Sequence, residues 1–279
     1  MRAPSMTAEE IGKRRDEIVA RRGPWRADNL RLAREVFTIG DGAPGREAEV
    51  RRAVQTIADL SGSPLKSLRI LDLGCGEGGF ALELGKQGAE VVAIESRAAL
   101  LEKATFARDA LGLHRVTVVP SDVRKLSPEQ HGFFNVVLVL GVLDRLDAPA
   151  VFEVAKRAGA VCKGFALVSA RLAERARASR ESEGVSYGGA PRSVNHEPSF
   201  LLTRVSMLAL LARSGFTSLL ETLHPDLEDG STCFAAFKGR RVALQTTPQA
   251  NAVPPPAWAA ARGVTRTTTI ARLLRRKSR

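Results

Sequence analysis

The stretch Leu68-Arg69-Ile70-Leu71-Asp72-Leu73-Gly74-Cys75-Gly76-Glu77-Gly78-Gly79 constrains this chain more than any other part of it. An apolar run followed by closely spaced glycines predicts a buried strand that ends in a tight turn and opens a helix near Phe80. Without Cβ atoms in the turn, a ligand can approach the backbone beside the free N–H groups of the helix start. About twenty residues further on, at the end of a second apolar run (Val91-Val92-Ala93-Ile94), stands Glu95, where a carboxylate can accept both hydroxyls of a ribose. Together the two signals predict a nucleoside cofactor.

Two glycine templates fit. Gly74, Gly76 and Gly79 satisfy the G-x-G-x-x-G of dinucleotide sites, a weak pattern on its own, and Gly74, Gly76 and Gly78 satisfy a G-x-G-x-G that suits S-adenosylmethionine. Charge favours the second. Asp72 precedes the glycines and Glu77 lies among them, and two carboxylates would repel a pyrophosphate but not an amino acid bearing an ammonium and a sulfonium. Asp72 can accept from the ammonium, directly or through a water.

The remaining pattern alternates strands and helices. Strands are expected at Arg69–Leu73, Glu90–Glu95, Val116–Pro120, Phe134–Leu140 and Gly164–Ser169, with helices near 78–87, 97–111 and 148–161. That rhythm implies a parallel sheet with right-handed crossovers. Ahead of it, Thr7-Ala8-Glu9-Glu10 reads as a capping box opening a helix to about Arg22, Trp25 to Gly42 as a connecting segment, and about Arg46 to Leu60 as a second helix. Arg171 to Ser199 is polar and reads as a lid holding Tyr187-Gly188-Gly189. After a helix from Thr203 to Arg213, the stretches Thr217–Thr222 and Thr232–Phe237 read as a closing antiparallel hairpin.

On these residues the chain resembles the class I S-adenosylmethionine-dependent methyltransferases from about Leu68 to Gly239. The resemblance rests on Ile70 to Gly78, on Glu95, on Ser121-Asp122-Val123 and on Phe133 to Leu143. It implies an α/β, Rossmann-like seven-stranded sheet with an N-terminal helical arm (1–63), a methyltransferase domain (64–239) with a lid at about 171–202 after its fifth strand, and a tail (240–279). It implies cofactor contacts from Asp72, Gly74, Cys75, Gly76, Gly78, Glu95 and Ser96. Asp122 would bind the adenine amino group with Val123 beside it, and Leu140 and Gly141 would line the cofactor and face the acceptor. The order of parts after Gly141 is similar, more loosely, to the tRNA wobble-uridine carboxymethyl-transferring enzymes, without their aromatic-His pair: Asp144-Arg145 stands in its place. The two resemblances together suggest a bacterial branch near the second family.

Two residues are candidates for a general base. Asp144 follows the cofactor-lining turn and can face the acceptor, cap the helix beyond it, or pair with Arg145. His196, in Asn195-His196-Glu197-Pro198, is either a base at the lid's end or an exposed loop residue. The Asp/Asn-Pro-Pro-aromatic turn used on planar amines is missing, and so is the Pro-Cys dipeptide of the cysteine route to pyrimidine C5.

Composition narrows the rest. The three cysteines (Cys75, Cys162, Cys233) fall in apolar elements, so core thiols in a reducing cytoplasm are expected, and the histidines form no ligand spacing with them; no metal is expected. No apolar run has the length of a leader or a membrane span. Net charge is +12, and residues 240–279 carry nine Lys and Arg with no acid. That tail, expected to be disordered, can contact nucleic acid through phosphates. The expected function is methyl transfer to a small or medium polar acceptor. The alternatives are an RNA (tRNA) methyltransferase that uses the tail, and a non-catalytic protein that binds the cofactor or docks on a partner.

Overall fold

The computed structural model describes residues 6–194, 196–222 and 231–239. Helix α1 (Ala8–Arg22) opens as its sequence dictates: the Thr7 hydroxyl accepts from the Glu10 N–H, and the Glu10 carboxylate accepts from the Thr7 N–H. Such a cap is worth about 1 kcal/mol. The segment expected to be a plain connector forms a short antiparallel pair, β1 (Arg31–Ala33) and β2 (Val36–Phe37). Helix α2 (Glu47–Ser61) buries Val50 and Ile57 on one face and stops at Gly62, whose φ of +64° is costly for any other residue.

The core then follows in order: β3 (Arg69–Leu73), α3 (Gly79–Lys86), β4 (Glu90–Glu95), α4 (Ala98–Ala110), β5 (Val116–Pro120), α5 (Pro128–His131), β6 (Phe134–Leu140), α6 (Ala150–Val161) and β7 (Cys162–Arg171). After the insert come α7 (Arg204–Arg213), β11 (Ser218–Thr222) and β12 (Ser231–Phe237); the insert itself holds β8 (Ala178–Ser182), β9 (Val185–Val194) and β10 (Glu197–Leu202). The seven-stranded sheet has the order β11-β12-β7-β6-β3-β4-β5. β12 runs antiparallel to β7 and β11, and the other pairings are parallel. Burial on both faces explains why β3 and β6 read as nearly unbroken apolar runs. Each of their fully buried Leu, Ile and Val side chains contributes roughly 1.5–3 kcal/mol.

One face of the sheet packs against α1, α2, α3 and α4; the other packs against α6, α7 and the insert. The chain leaves β3 outward through β4 and β5, then returns to β6 on the opposite side. The crevice between the C-terminal ends of β3 and β6 is therefore the topological switch point, where open α/β sheets bind ligands.

The polar stretch after Arg171 is more ordered than its composition suggests. It forms a three-stranded antiparallel sheet, β10-β9-β8. Tyr187, Phe200 and Leu202 on its inner side are buried in the core with Phe152 and Met207. Composition hides this, because only Tyr187 and Gly189 of β9 are buried and Ser186 and Pro191–Ser193 are exposed. Among the described residues, no helix is long and apolar enough to cross a membrane.

Candidate cofactor site

Register brings the candidate residues together. Asp72 pairs with Ala93 on one side and Leu138 on the other, and Leu138 pairs with Leu167. Paired residues of parallel strands share a face, and the side-chain period is two. One face therefore carries Asp72, Glu95, Leu140, Ser169 and Arg171 along the C-terminal rim of four adjacent strands. Leu140 and Gly141 flank the switch crevice opposite Gly74, and Asp122 follows β5 two residues after the Pro120 that pairs with Glu95. Val123 begins the short 3₁₀ turn that Asp122 caps.

The glycine turn is built as expected. Gly74 and Gly76 have φ of +67° and +63°, and a Cβ on Gly74 would meet Val142 at 3.1 Å. The Cys75 N–H donates to the Ile94 carbonyl at 3.0 Å, tying the turn to β4. The Gly76 N–H donates to Glu95 Oε2 at 3.0 Å, so the carboxylate sits beneath the turn. Glu95 Oε1 also accepts from the N–H groups of Ser96 and Arg97. Burial alone would raise the Glu95 pKa, but bonds from the Arg97 side chain and backbone, with Gly76, hold it below its ordinary value. Ser96 itself is exposed.

Each of two carboxylates on the rim is covered by an arginine two residues along. Arg97 reaches Glu95 at 3.1 and 3.2 Å, and Arg124 grips both oxygens of Asp122. The Arg124 fork holds Asp122 below the usual carboxylate range. Arg97 and Arg124 are both more than half exposed, so either can swing into water at little cost.

Asp72 is fully enclosed, and burial pushes its pKa to about 7. Arg46 works against that shift, while Asp28 and Glu95 add to it. Among the described residues its Oδ2 has no hydrogen-bond partner. A buried carboxyl oxygen without a donor costs free energy, and an ammonium would satisfy it. The glycine cradle, the orphaned oxygen and Glu95 are together a good fit to the two ends of S-adenosylmethionine.

Glu77 does something other than its position in the sequence suggests. It is turned away from the turn, and its carboxylate accepts from the backbone N–H groups of Arg26, Ala27 and Asp28 and from the buried Lys103 at 3.3 Å. Lys103 also donates to the Pro24 carbonyl and lies against the Trp25 ring. Glu77 is thus the anchor of the N-terminal arm. Asp28, which the sequence did not single out, takes over the repulsive role: its Oδ2 accepts from the Gly79 N–H at 3.0 Å, and Arg46 clamps it from the other side. The helix donor that a pyrophosphate would need is already taken by a carboxylate.

Asp144 is buried at the end of the 3₁₀ turn Leu143–Arg145. Neither sequence expectation for a structural role holds: it caps no helix and does not pair with Arg145. Instead Arg171 Nε donates to its Oδ2 at 3.0 Å, and its Oδ1 has no partner among the described residues. His196 is not brought to this rim. It occupies the exposed turn between β9 and β10 with φ +68°, four residues along the strand from Phe200, whose N–H donates to the Leu146 carbonyl. Cys75, Cys162 and Cys233 are free and buried, and burial raises the pKa of each thiol.

Residues 70–164 match the methyltransferase domain family. The 23S rRNA (uracil(1939)-C(5))-methyltransferase RlmD of Klebsiella pneumoniae (strain 342) is 35% identical over 123 residues, which are 41% of this chain and 27% of that protein. Its counterpart in Pseudomonas savastanoi pv. phaseolicola is 32% identical over 139 residues, 44% of this chain and 29% of that protein. The chain thus spans under a third of the length of these curated relatives. Among solved structures, the N-terminal domain of EvdMO1 in the presence of S-adenosylhomocysteine and D-fucose superposes with a TM-score of 0.67 at 21% identity, covering 85% of this chain and 98% of that one. The magnesium protoporphyrin IX methyltransferase of Synechocystis PCC 6803 with bound S-adenosylmethionine gives 0.51 at 15% identity, covering 82% and 91%. These likenesses show the fold; the looser resemblance to the wobble-uridine enzymes is not among what the matches support. Residues 70–164 thus carry a methyltransferase domain, set within the fold that these S-adenosylmethionine-dependent methyltransferases share.

Proposed function

We propose that this protein transfers a methyl group to a hydroxyl of a small or medium polar acceptor, with Asp144 as the group that takes the proton. The observation that carries this reading is the buried Asp144 carboxylate, fixed by Arg171 through one oxygen while the other has no partner. When bound, S-adenosylmethionine supplies a methyl already activated by a positive sulfur. The protein's own task is then to align the acceptor, keep water out and remove a proton that a neutral hydroxyl cannot lose unaided. Arg171 holds Asp144 Oδ2, so Oδ1 faces the acceptor in one orientation.

The cofactor roles follow from the same rim. Asp72 Oδ2 accepts from the methionine ammonium, beside the turn formed by Gly74, Cys75, Gly76 and Gly78. Glu95 accepts the ribose hydroxyls once Arg97 swings out, with Ser96 at the edge. Asp122 and Val123 hold the adenine, and Leu140 and Gly141 form the wall between cofactor and acceptor. His196, on its exposed turn, has no part in this reading. The sugar present with the EvdMO1 domain agrees with a polyhydroxyl acceptor at the level of fold.

The test is single-turnover methyl transfer to a panel of polyhydroxyl acceptors. Asp144→Asn should lower the rate by roughly a hundredfold or more, with S-adenosylhomocysteine affinity unchanged. An equal loss of cofactor affinity, or a wild-type rate, would sink the assignment.

An RNA acceptor is the second reading, supported by the rRNA relatives. Transfer to pyrimidine C5 needs a thiolate to add to the ring, and three buried thiols with raised pKa values argue against that chemistry. The basic stretch 240–279 lies outside the described residues. Removing it should sharply weaken RNA affinity if RNA is the acceptor; unchanged affinity would end that use of the tail.

A further inference from the structure

The outer face of the insert holds an open pocket of about 300 Å³ that the methyl-transfer chemistry does not use. Its lining carries Arg175, Arg177 and Arg192, with Glu174 as the single acid, and the apolar Pro191 and Leu201. Among the described residues, none of the three guanidinium groups has an ion-pair or hydrogen-bond partner for its side chain. Elsewhere Arg21, Arg22, Arg69, Arg108, Arg124 and Arg204 sit on carboxylates.

Three like charges around one small concavity repel each other, so the arrangement is unfavourable until an anion enters. The fold forces the grouping. Arg177 is brought beside β9 because its N–H donates to the Gly189 carbonyl, and Arg192 lies three residues further along that strand. Arg175 precedes Arg177 by two residues on the bent segment before β8, and both line the pocket. The segment is continuous with β7: Ala173, which also lines the pocket, bridges to Thr203 and stands two residues beyond the Arg171 that holds Asp144. At about 3.3 Å per extended residue, roughly 7 Å of chain separates Ala173 from the Arg171 that holds the proposed base.

We propose that this pocket binds a phosphate monoester on the acceptor, so that the acceptor is a phosphorylated polyhydroxyl compound. The proposal rests on the methyl-transfer reading for its link to Asp144. Guanidinium forks match phosphate oxygens in pairs, and a net local charge near two matches the dianion of a monoester better than the single charge of a phosphodiester. The apolar Pro191 and Leu201 of the lining suit the carbon skeleton next to the phosphate. Held there, the phosphate places a hydroxyl a few bonds away against Asp144 Oδ1.

The experiment is calorimetric titration of the full chain, saturated with S-adenosylhomocysteine, with ribose 5-phosphate, ribose, and a uridine hexanucleotide lacking terminal phosphates. Ribose 5-phosphate should bind saturably and ribose should not. Arg177→Ala and Arg192→Ala should each weaken binding roughly tenfold or more, as loss of a charged hydrogen-bonding partner does, while Arg180→Ala, a change outside the pocket, should leave it unaltered. Absence of saturable binding, or binding equal in all variants, overturns the proposal. A hexanucleotide that binds more tightly than the monoester and is lost in the same variants overturns the monoester assignment in favour of a phosphodiester backbone. S-adenosylhomocysteine affinity, titrated separately in each sample, reports on the cofactor reading alone, so failure of the pocket and failure of that reading give different results.

Discussion

Replacing Asp72 by Asn tests the cofactor site through pH, because the group titrates where few carboxyls do. In the free protein burial places it at about 7, with Arg46 resisting and Asp28 and Glu95 reinforcing the shift. The neutral form is therefore the favoured one in the fold. Its contribution to stability is full below the ordinary value of 3.8 and is lost as pH rises through about 7. Cofactor binding works in the opposite direction. An ammonium in hydrogen-bond contact with Oδ2 should lower the carboxyl pKa by about 1–3 units, and each unit is worth about tenfold in affinity. S-adenosylhomocysteine should thus bind at least about tenfold more weakly near pH 5 than near pH 7.5, with proton release on binding at about pH 6.5. A second limb belongs to the ligand, whose α-amino group loses its charge near a pKa of about 7.7–8.0. Calorimetry in paired buffers of different ionisation enthalpy counts the protons directly. In Asp72→Asn the acid limb should vanish while the alkaline limb stays, and affinity at about pH 7 should fall by roughly 1.5–3 kcal/mol, the cost of a charged hydrogen bond. An acid limb that survives in Asp72→Asn, or a wild-type affinity that is flat over this range, would refute the reasoning.

Other expectations are simpler to read. Glu77→Gln leaves Lys103 buried beside a neutral group and should cost roughly 3–5 kcal/mol, a fall in Tm of about 6–15 °C in a thermal melt; a Tm within a degree or two of wild type would show that Glu77 does not anchor the arm. Adding Lys103→Met to that variant should restore part of the loss, since it removes the buried charge left without its counter-ion. Glu95→Ala should weaken cofactor binding about tenfold or more, whereas Arg97→Ala should leave it intact or tighter, because Arg97 only covers the carboxylate the ribose needs. Equal losses in both variants would mean that Arg97 belongs to the binding surface itself.

How far the sequence reaches is clear from particular residues. The strand at Arg69–Leu73 and the left-handed glycines after it follow from local signals, namely period, apolar runs and residues that tolerate positive φ, whereas the seven-stranded sheet was implied by the family resemblance. Register does the rest for the rim, since alternation along β3, β4, β6 and β7 puts Asp72, Glu95, Leu140 and Arg171 on one face once the strands are paired. The partners of the charged groups were not legible. Glu77 and Lys103 stand 26 residues apart, Asp28 and Gly79 stand 51 apart, and Asp144 meets Arg171 across 27. Nothing local marks these pairs, because a carboxylate in a glycine turn serves a ligand or an arm equally well until the arm is folded onto it. The sequence by itself determined which backbone shapes were allowed and where a nucleoside could approach. Only the tertiary structure decided which charges are satisfied from within, and so which oxygens, Asp72 Oδ2 and Asp144 Oδ1, are left without a partner among the described residues: a carboxylate's role depends on donors that folding brings from distant parts of the chain.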